Sequence, residues 1–180
     1  GAAMPFDADV GATLEQGAVR VTIPSQALVD ANGEAVTGTV EATIVPLDPT
    51  SNISASPGPL AGLPMNGAGE VGLESVFMAE VSLWQAGNRL QLRPGAKATL
   101  EMVLPESLQD EYVDGDSVPA WWFDLDAGIW KEDGAGTMGP SQSQPGKLAW
   151  TAEVKHFTWW NCDQPWGTKN CFDVHVVDMD

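Results

Sequence analysis

Apolar and polar residues take turns in one stretch of this chain after another, and that period of two limits the fold more than any other feature. In residues 17–23, Val19, Val21 and Ile23 alternate with Ala18, Arg20 and Thr22; in 36–46, Val40, Ala42 and Ile44 share one side. Residues 78–84 alternate in the same way. Such a period belongs to strands with one buried face, and helical periodicity is almost absent. Nineteen glycines and 13 prolines punctuate the pattern, with turn-forming runs such as Asp30-Ala31-Asn32-Gly33 and residues 85–88 between strand segments. Further strands are expected over 73–84, 96–104, 118–123, 129–132, 148–160 and 172–177. Residues 124–128 read as a hairpin turn, 107–116 as a helical turn or acidic loop, and 48–69 as a long surface loop. The expected architecture is an all-β antiparallel β-sandwich of about eight or nine strands. Residues 5–180 form a single domain in this reading, and Gly1, Ala2, Ala3 and Met4 read as a cloning remnant on a domain cut from a longer precursor.

Charge narrows the partners. Twenty-five acidic residues face 8 basic ones, a formal charge of −17. Nucleic acid and anionic membrane surfaces both need basic patches, so neither is expected as a partner, and no apolar run approaches the roughly 20 residues of a membrane span. Cations suit the surface better. Asp114 with Asp116 and Asp124 with Asp126 are loop carboxylates of the type calcium uses, yet the twelve-residue ligand pattern is missing, and solvated turns explain the same residues. No cofactor is required by any motif.

Catalytic patterns are scarce. The chain has two histidines, His156 and His175, no Gly-x-Ser-x-Gly elbow, no phosphate-binding glycine loop and no zinc motif. Its two cysteines, Cys162 and Cys171, lie close together with Pro165, Gly167 and Asn170 between them. A disulfide closing that loop fits an oxidising compartment, and two free thiols are the alternative. Eight tryptophans are many for 180 residues. Exposed indole rings would make a carbohydrate-binding module; buried ones would be core. Neighbours such as Trp121 and Trp122 should point to opposite faces of a strand.

Alternation fails at one informative place. Leu148, Trp150, Ala152 and Val154 share a parity that, continued, would bury His156 and Thr158 while exposing Phe157 and Trp159. A bulge or a deliberately polar interior would each produce that fault.

The run His156-Phe157-Thr158-Trp159-Trp160-Asn161-Cys162-Asp163, after Trp122-Phe123-Asp124 and Gly128-Ile129-Trp130-Lys131-Glu132-Asp133-Gly134, resembles bacterial extracellular domains that precede carboxypeptidase-regulatory-like modules. It is also similar to segments of animal cartilage intermediate layer proteins and, more broadly, to the β-sandwich domain of zonula-occludens proteins, netrin receptors and ankyrins. These motifs lie in about the last third of the chain. The resemblance implies a secreted or cell-surface module, structural or adhesive, whose partners are other domains of the same protein, a glycan or a cell-surface protein. Some members of the broader family, among them the death-domain protein PIDD, cut themselves within His-Phe-Ser; ankyrin domains do not. Carried over, His156 would be the base or an orienting group, Phe157 would supply the scissile carbonyl and Thr158, replacing Ser, would be the nucleophile.

Overall fold

A computed structural model describes residues 1–166. Cys171, His175 and the strand expected over 172–177 lie outside the described residues. The fold is all-β and built almost wholly from antiparallel pairings, with thirteen strands among the described residues. They are β1 (Met4–Asp7), β2 (Ala12–Gln16), β3 (Val19–Ile23), β4 (Leu28–Val29), β5 (Thr39–Leu47), β6 (Ala61–Leu63) and β7 (Val71–Gln85). After these come β8 (Asn88–Leu92), β9 (Ala98–Val103), β10 (Ser117–Asp124), β11 (Ile129–Pro140), β12 (Leu148–Val154) and β13 (Trp159–Pro165). The count exceeds the expected eight or nine because β1, β2, β4, β6 and β8 have five residues or fewer. Segments that short seldom carry enough alternation to announce themselves.

Hydrogen bonds link the strands in the order β1-β5-β7-β13-β10-β11-β12-β9-β3-β2, with β4, β6 and β8 attached at the side. The two ends of that path, β1 and β2, are consecutive in the chain and separated by residues 8–11. So short a link spans no more than about 18 Å, and the sheet therefore rolls back on itself into a sandwich-like body. Ala8 stitches the closure: its N–H donates to the Gly38 carbonyl and its own carbonyl accepts from the Gln26 N–H, both at 2.9 Å.

Inside the roll lies the main core, to which β3, β5, β7, β9, β10 and β12 each contribute alternate residues, with Trp150 and Trp160 among the largest. Buried area on this scale, at about 25 cal/mol per Å² of apolar surface, is what offsets the loss of chain entropy. A second cluster of Leu47, Leu73, Met78, Trp121, Phe123 and Trp130 forms outside the roll. It exists because the segment over 48–69 is more than a surface loop. Asp48 caps a helical turn, Pro49–Asn52, by accepting the Thr50 N–H at 2.8 Å, and β6 then pairs with β7 and, in parallel, with β11. Gly58 and Gly62 let the segment lie flat on the rings of Phe123 and Trp121, where a β-carbon would come within 2.5 and 2.7 Å. Both faces of β10 are thereby covered.

Candidate functional site

The fault in alternation at residue 156 is a change of strand. β12 follows its parity to Val154, pairing with β11 on one side and β9 on the other. Residues 155–158 are irregular, and β13 begins at Trp159 between β7 and β10. The chain skips over β10 and β11 in crossing, so parity before the crossing says nothing about parity after it. Neither a bulge nor a polar interior is needed to explain the pattern.

At this crossing His156, Phe157 and Thr158 each have a distinct setting. The Phe157 side chain is 1% exposed and belongs to the main core. Its backbone is held by one side chain from β8: the Phe157 N–H donates to Gln91 Oε1 at 2.7 Å, and the Phe157 carbonyl accepts from Gln91 Nε2 at 3.0 Å. The same carbonyl accepts a longer bond from Arg89 Nη2 at 3.4 Å. Gln91 thus does for this segment what a neighbouring strand would do. Thr158 is buried; its Oγ1 donates to the Phe123 carbonyl at 3.3 Å and its own carbonyl accepts the Val81 N–H at 3.1 Å.

His156 lies between two indoles, stacked on Trp160 with centroids 5.0 Å apart and edge-on to Trp122 at 4.9 Å. Burial lowers its pKa, as does Lys155, while the charge of Asp133 pulls the other way. A neutral imidazole at pH 7 follows, able to accept a proton. The ring and the Thr158 hydroxyl are close in sequence without sharing a hydrogen bond: the ring contacts are aromatic, and the hydroxyl is turned to Phe123.

Trp121, Trp130, Trp150 and Trp160 are fully buried, and three of them donate Nε1–H to a backbone carbonyl: Trp121 to Asp163 at 3.1 Å, Trp150 to Val118 at 3.0 Å and Trp160 to His156 at 3.1 Å. Trp122 faces away from Trp121, half-buried, with Lys131 Nζ 5.4 Å from its ring centre. Trp166 and Trp84 are the exposed indoles among the described residues, at 73% and 38%.

Two of the loop acids, Asp124 and Asp116, are engaged as turn residues. Asp124 accepts from the Asp126 and Ala127 N–H groups at 3.0 Å and from Lys131 Nζ at 2.6 Å, and Asp116 accepts from the Val113 N–H at 2.9 Å. Among the described residues no three His, Cys, Asp or Glu side chains are grouped to hold a metal ion. Cys162 is buried in the main core with Sγ 3.5 Å from the Phe77 carbonyl, and burial raises its pKa well above that of a free thiol. Its expected partner in a disulfide, Cys171, lies outside the described residues.

Nothing in the sequence singles out Gln91 and Arg89, which sit in a short strand with unremarkable alternation, nor a buried polar group further along β7 and β13. β7 carries one extra residue, Val76, opposite β13, since Cys162 pairs with Phe77 and Asp163 with Ser75. Asp163 reaches across to take the spare Val76 N–H at 3.3 Å, and Asn161 donates to the same carboxyl while accepting from Ser75 Oγ at 3.1 Å. The chain matches no model of a known protein family and no solved structure.

Proposed function

We propose that this chain is a structural or adhesive module of a larger secreted or cell-surface protein, held against other domains of that protein. The use of its indoles carries the reading: four of them fill the two cores, and three of those are tied to backbone carbonyls, so they serve shape and not display. Carbohydrate binding would fall to Trp166 and Trp84. Intrinsic fluorescence titrated with soluble oligosaccharides should stay flat; a saturable change lost in Trp166→Ala would replace this reading with a carbohydrate-binding one.

A second reading concerns the crossing between β12 and β13, where the chain cuts itself once between Phe157 and Thr158. It is favoured by the Phe157 carbonyl, which accepts from both Gln91 and Arg89. Thr158 Oγ1 would leave Phe123, attack that carbonyl carbon and pass its proton to a base, for which neutral His156 is the nearest residue in sequence. Intact mass under denaturing conditions tests it. Products of residues 1–157 and 158–180 should appear without reductant, because both cysteines lie in the second piece, and Thr158→Ala should remain whole. Wild type that stays whole after long incubation at neutral pH overturns this second reading and leaves the first in place.

A further inference from the structure

We infer that Gln91 and Arg89 together form the site that activates the Phe157 carbonyl for this cleavage; the inference rests on the self-cleavage reading. A carbonyl oxygen buried beside a crossing segment needs one donor to be satisfied, and Gln91 Nε2 supplies it at 3.0 Å. Arg89 is surplus to that need. It approaches the same oxygen at 3.4 Å, it makes no ion pair among the described residues, and its buried Nε has no hydrogen-bond partner. A half-buried guanidinium with no ion-pair partner among the described residues, and with donor capacity to spare beside a neutral carbonyl, is costly as mere structure. It suits an oxygen that becomes negative.

The bond changes create such an oxygen. As Thr158 Oγ1 bonds to the Phe157 carbonyl carbon, closing a five-membered ring, the carbonyl π electrons move onto the Phe157 oxygen and the hydroxyl proton leaves to the base. When the bond from that carbon to the Thr158 nitrogen breaks, the nitrogen takes up the proton, leaving a free amine and an ester. Water then hydrolyses the ester to the Phe157 carboxylate and the restored Thr158 hydroxyl. Gln91 Nε2 and Arg89 Nη2 point at the one atom whose charge grows in the first step. Gln91 Oε1, by holding the Phe157 N–H at 2.7 Å, keeps the carbonyl from turning away.

Two substitutions separate activation from simple pinning. Gln91→Glu keeps an acceptor for the Phe157 N–H and removes the donor to the carbonyl; Arg89→Met keeps the bulk of the side chain and removes the charge. Full-length protein is followed by intact mass over time, with and without hydroxylamine to capture the ester, and thermal unfolding is recorded for every uncut precursor. Each variant should cleave about a hundredfold more slowly than wild type, the loss typical for one oxyanion donor. Arg89→Met should melt within a few degrees of wild type, so that Arg89 decides the matter if Gln91→Glu fails to fold. Cleavage of Arg89→Met at the wild-type rate, with Thr158→Ala uncut, overturns the inference while the self-cleavage reading stands. A wild-type chain that neither cuts nor responds to hydroxylamine overturns both.

Discussion

Asp163 has no exposed surface, and it occupies that position because β7 has one residue too many opposite β13. A bulge leaves an amide without a ladder partner, and a carboxyl oxygen fills the gap. Burial raises the Asp163 pKa well above the usual carboxylate range, more than the contacts of Ser75, Val76 and Asn161 lower it. The folded protein therefore keeps a proton that the unfolded chain releases near pH 4, so this group's contribution to stability declines as pH rises from there toward the folded-state value. Urea unfolding of Asp163→Asn at pH 4 to 7 should give a flatter profile than wild type, and parallel profiles would refute the linkage. Glu101 has the opposite sign. Burial pushes its pKa up, but the hydrogen bonds from Ser143, Gln142 and Ser141 outweigh burial, and the carboxyl titrates below its ordinary range. Its stabilisation is present above about pH 4.5 and is lost as pH falls through the lowered folded-state value. Because that carboxylate gathers the loop between β11 and β12 through Ser141 Oγ at 2.8 Å and Ser143 Oγ at 2.7 Å, Glu101→Ala should cost about 1.5–3 kcal/mol in chemical denaturation at neutral pH.

Among the elements, β7 and β8 meet in a two-residue hairpin, Ala86-Gly87, with φ of 49° and 80°. A turn that is left-handed at both positions suits Asn-Gly better than Ala-Gly: a β-carbon is crowded there in either residue, and asparagine's short polar side chain offsets the crowding by bonding locally to the backbone. Ala86→Asn should raise stability by about 0.5–1 kcal/mol, read as a shift in the urea midpoint without a change of slope. The reverse test lies in β11: a β-carbon on Gly136 would fall 2.3 Å from Trp150 Cε2 and 2.7 Å from the Thr151 carbonyl oxygen, so Gly136→Ala should cost about 1–3 kcal/mol by the same measurement. Strands with one buried face, β3 and β12 above all, were legible in the sequence because alternation is the signature of a single core. β6 and the second cluster were not, because there both faces of β10 are covered by a segment whose Pro, Ser and Gly content describes a loop until its partner is known. The crossing after Val154 left a visible fault in the pattern at His156. Its cause, strand exchange, is a matter of pairing, and so is the approach of Gln91 and Arg89 to Phe157 from 66 and 68 positions away.

For the whole molecule, an excess of 17 negative charges sets the response to salt. Five ion pairs among the described residues, such as Lys97 with Glu153 at 2.5 Å and Lys155 with Asp133 at 2.6 Å, are mostly exposed and compensate little of it. Self-repulsion in the compact state falls as the Debye length shrinks from about 30 Å at 0.01 M to roughly 5 Å at several tenths molar. The melting temperature should accordingly rise with NaCl over that range, and CaCl2 at equal ionic strength should do no more; an added increment from calcium would place a cation site in the acidic loops.

The position of β13 also bears on how the domain carries load. It is not an edge strand: it lies between β7 and β10 and is antiparallel to both. Tension applied beyond Pro165 along the strand axis would meet two ladders loaded in shear, in which many hydrogen bonds must fail together, whereas an edge strand peeled sideways loses them one at a time. If the backbone were opened between Phe157 and Thr158, those two ladders and the buried β13 side chains, Trp160 and Cys162 among them, would hold the pieces together among the described residues. The junction would then act as a mechanical fuse, firm at rest and set to part at a force fixed by strand pairing instead of by a covalent bond.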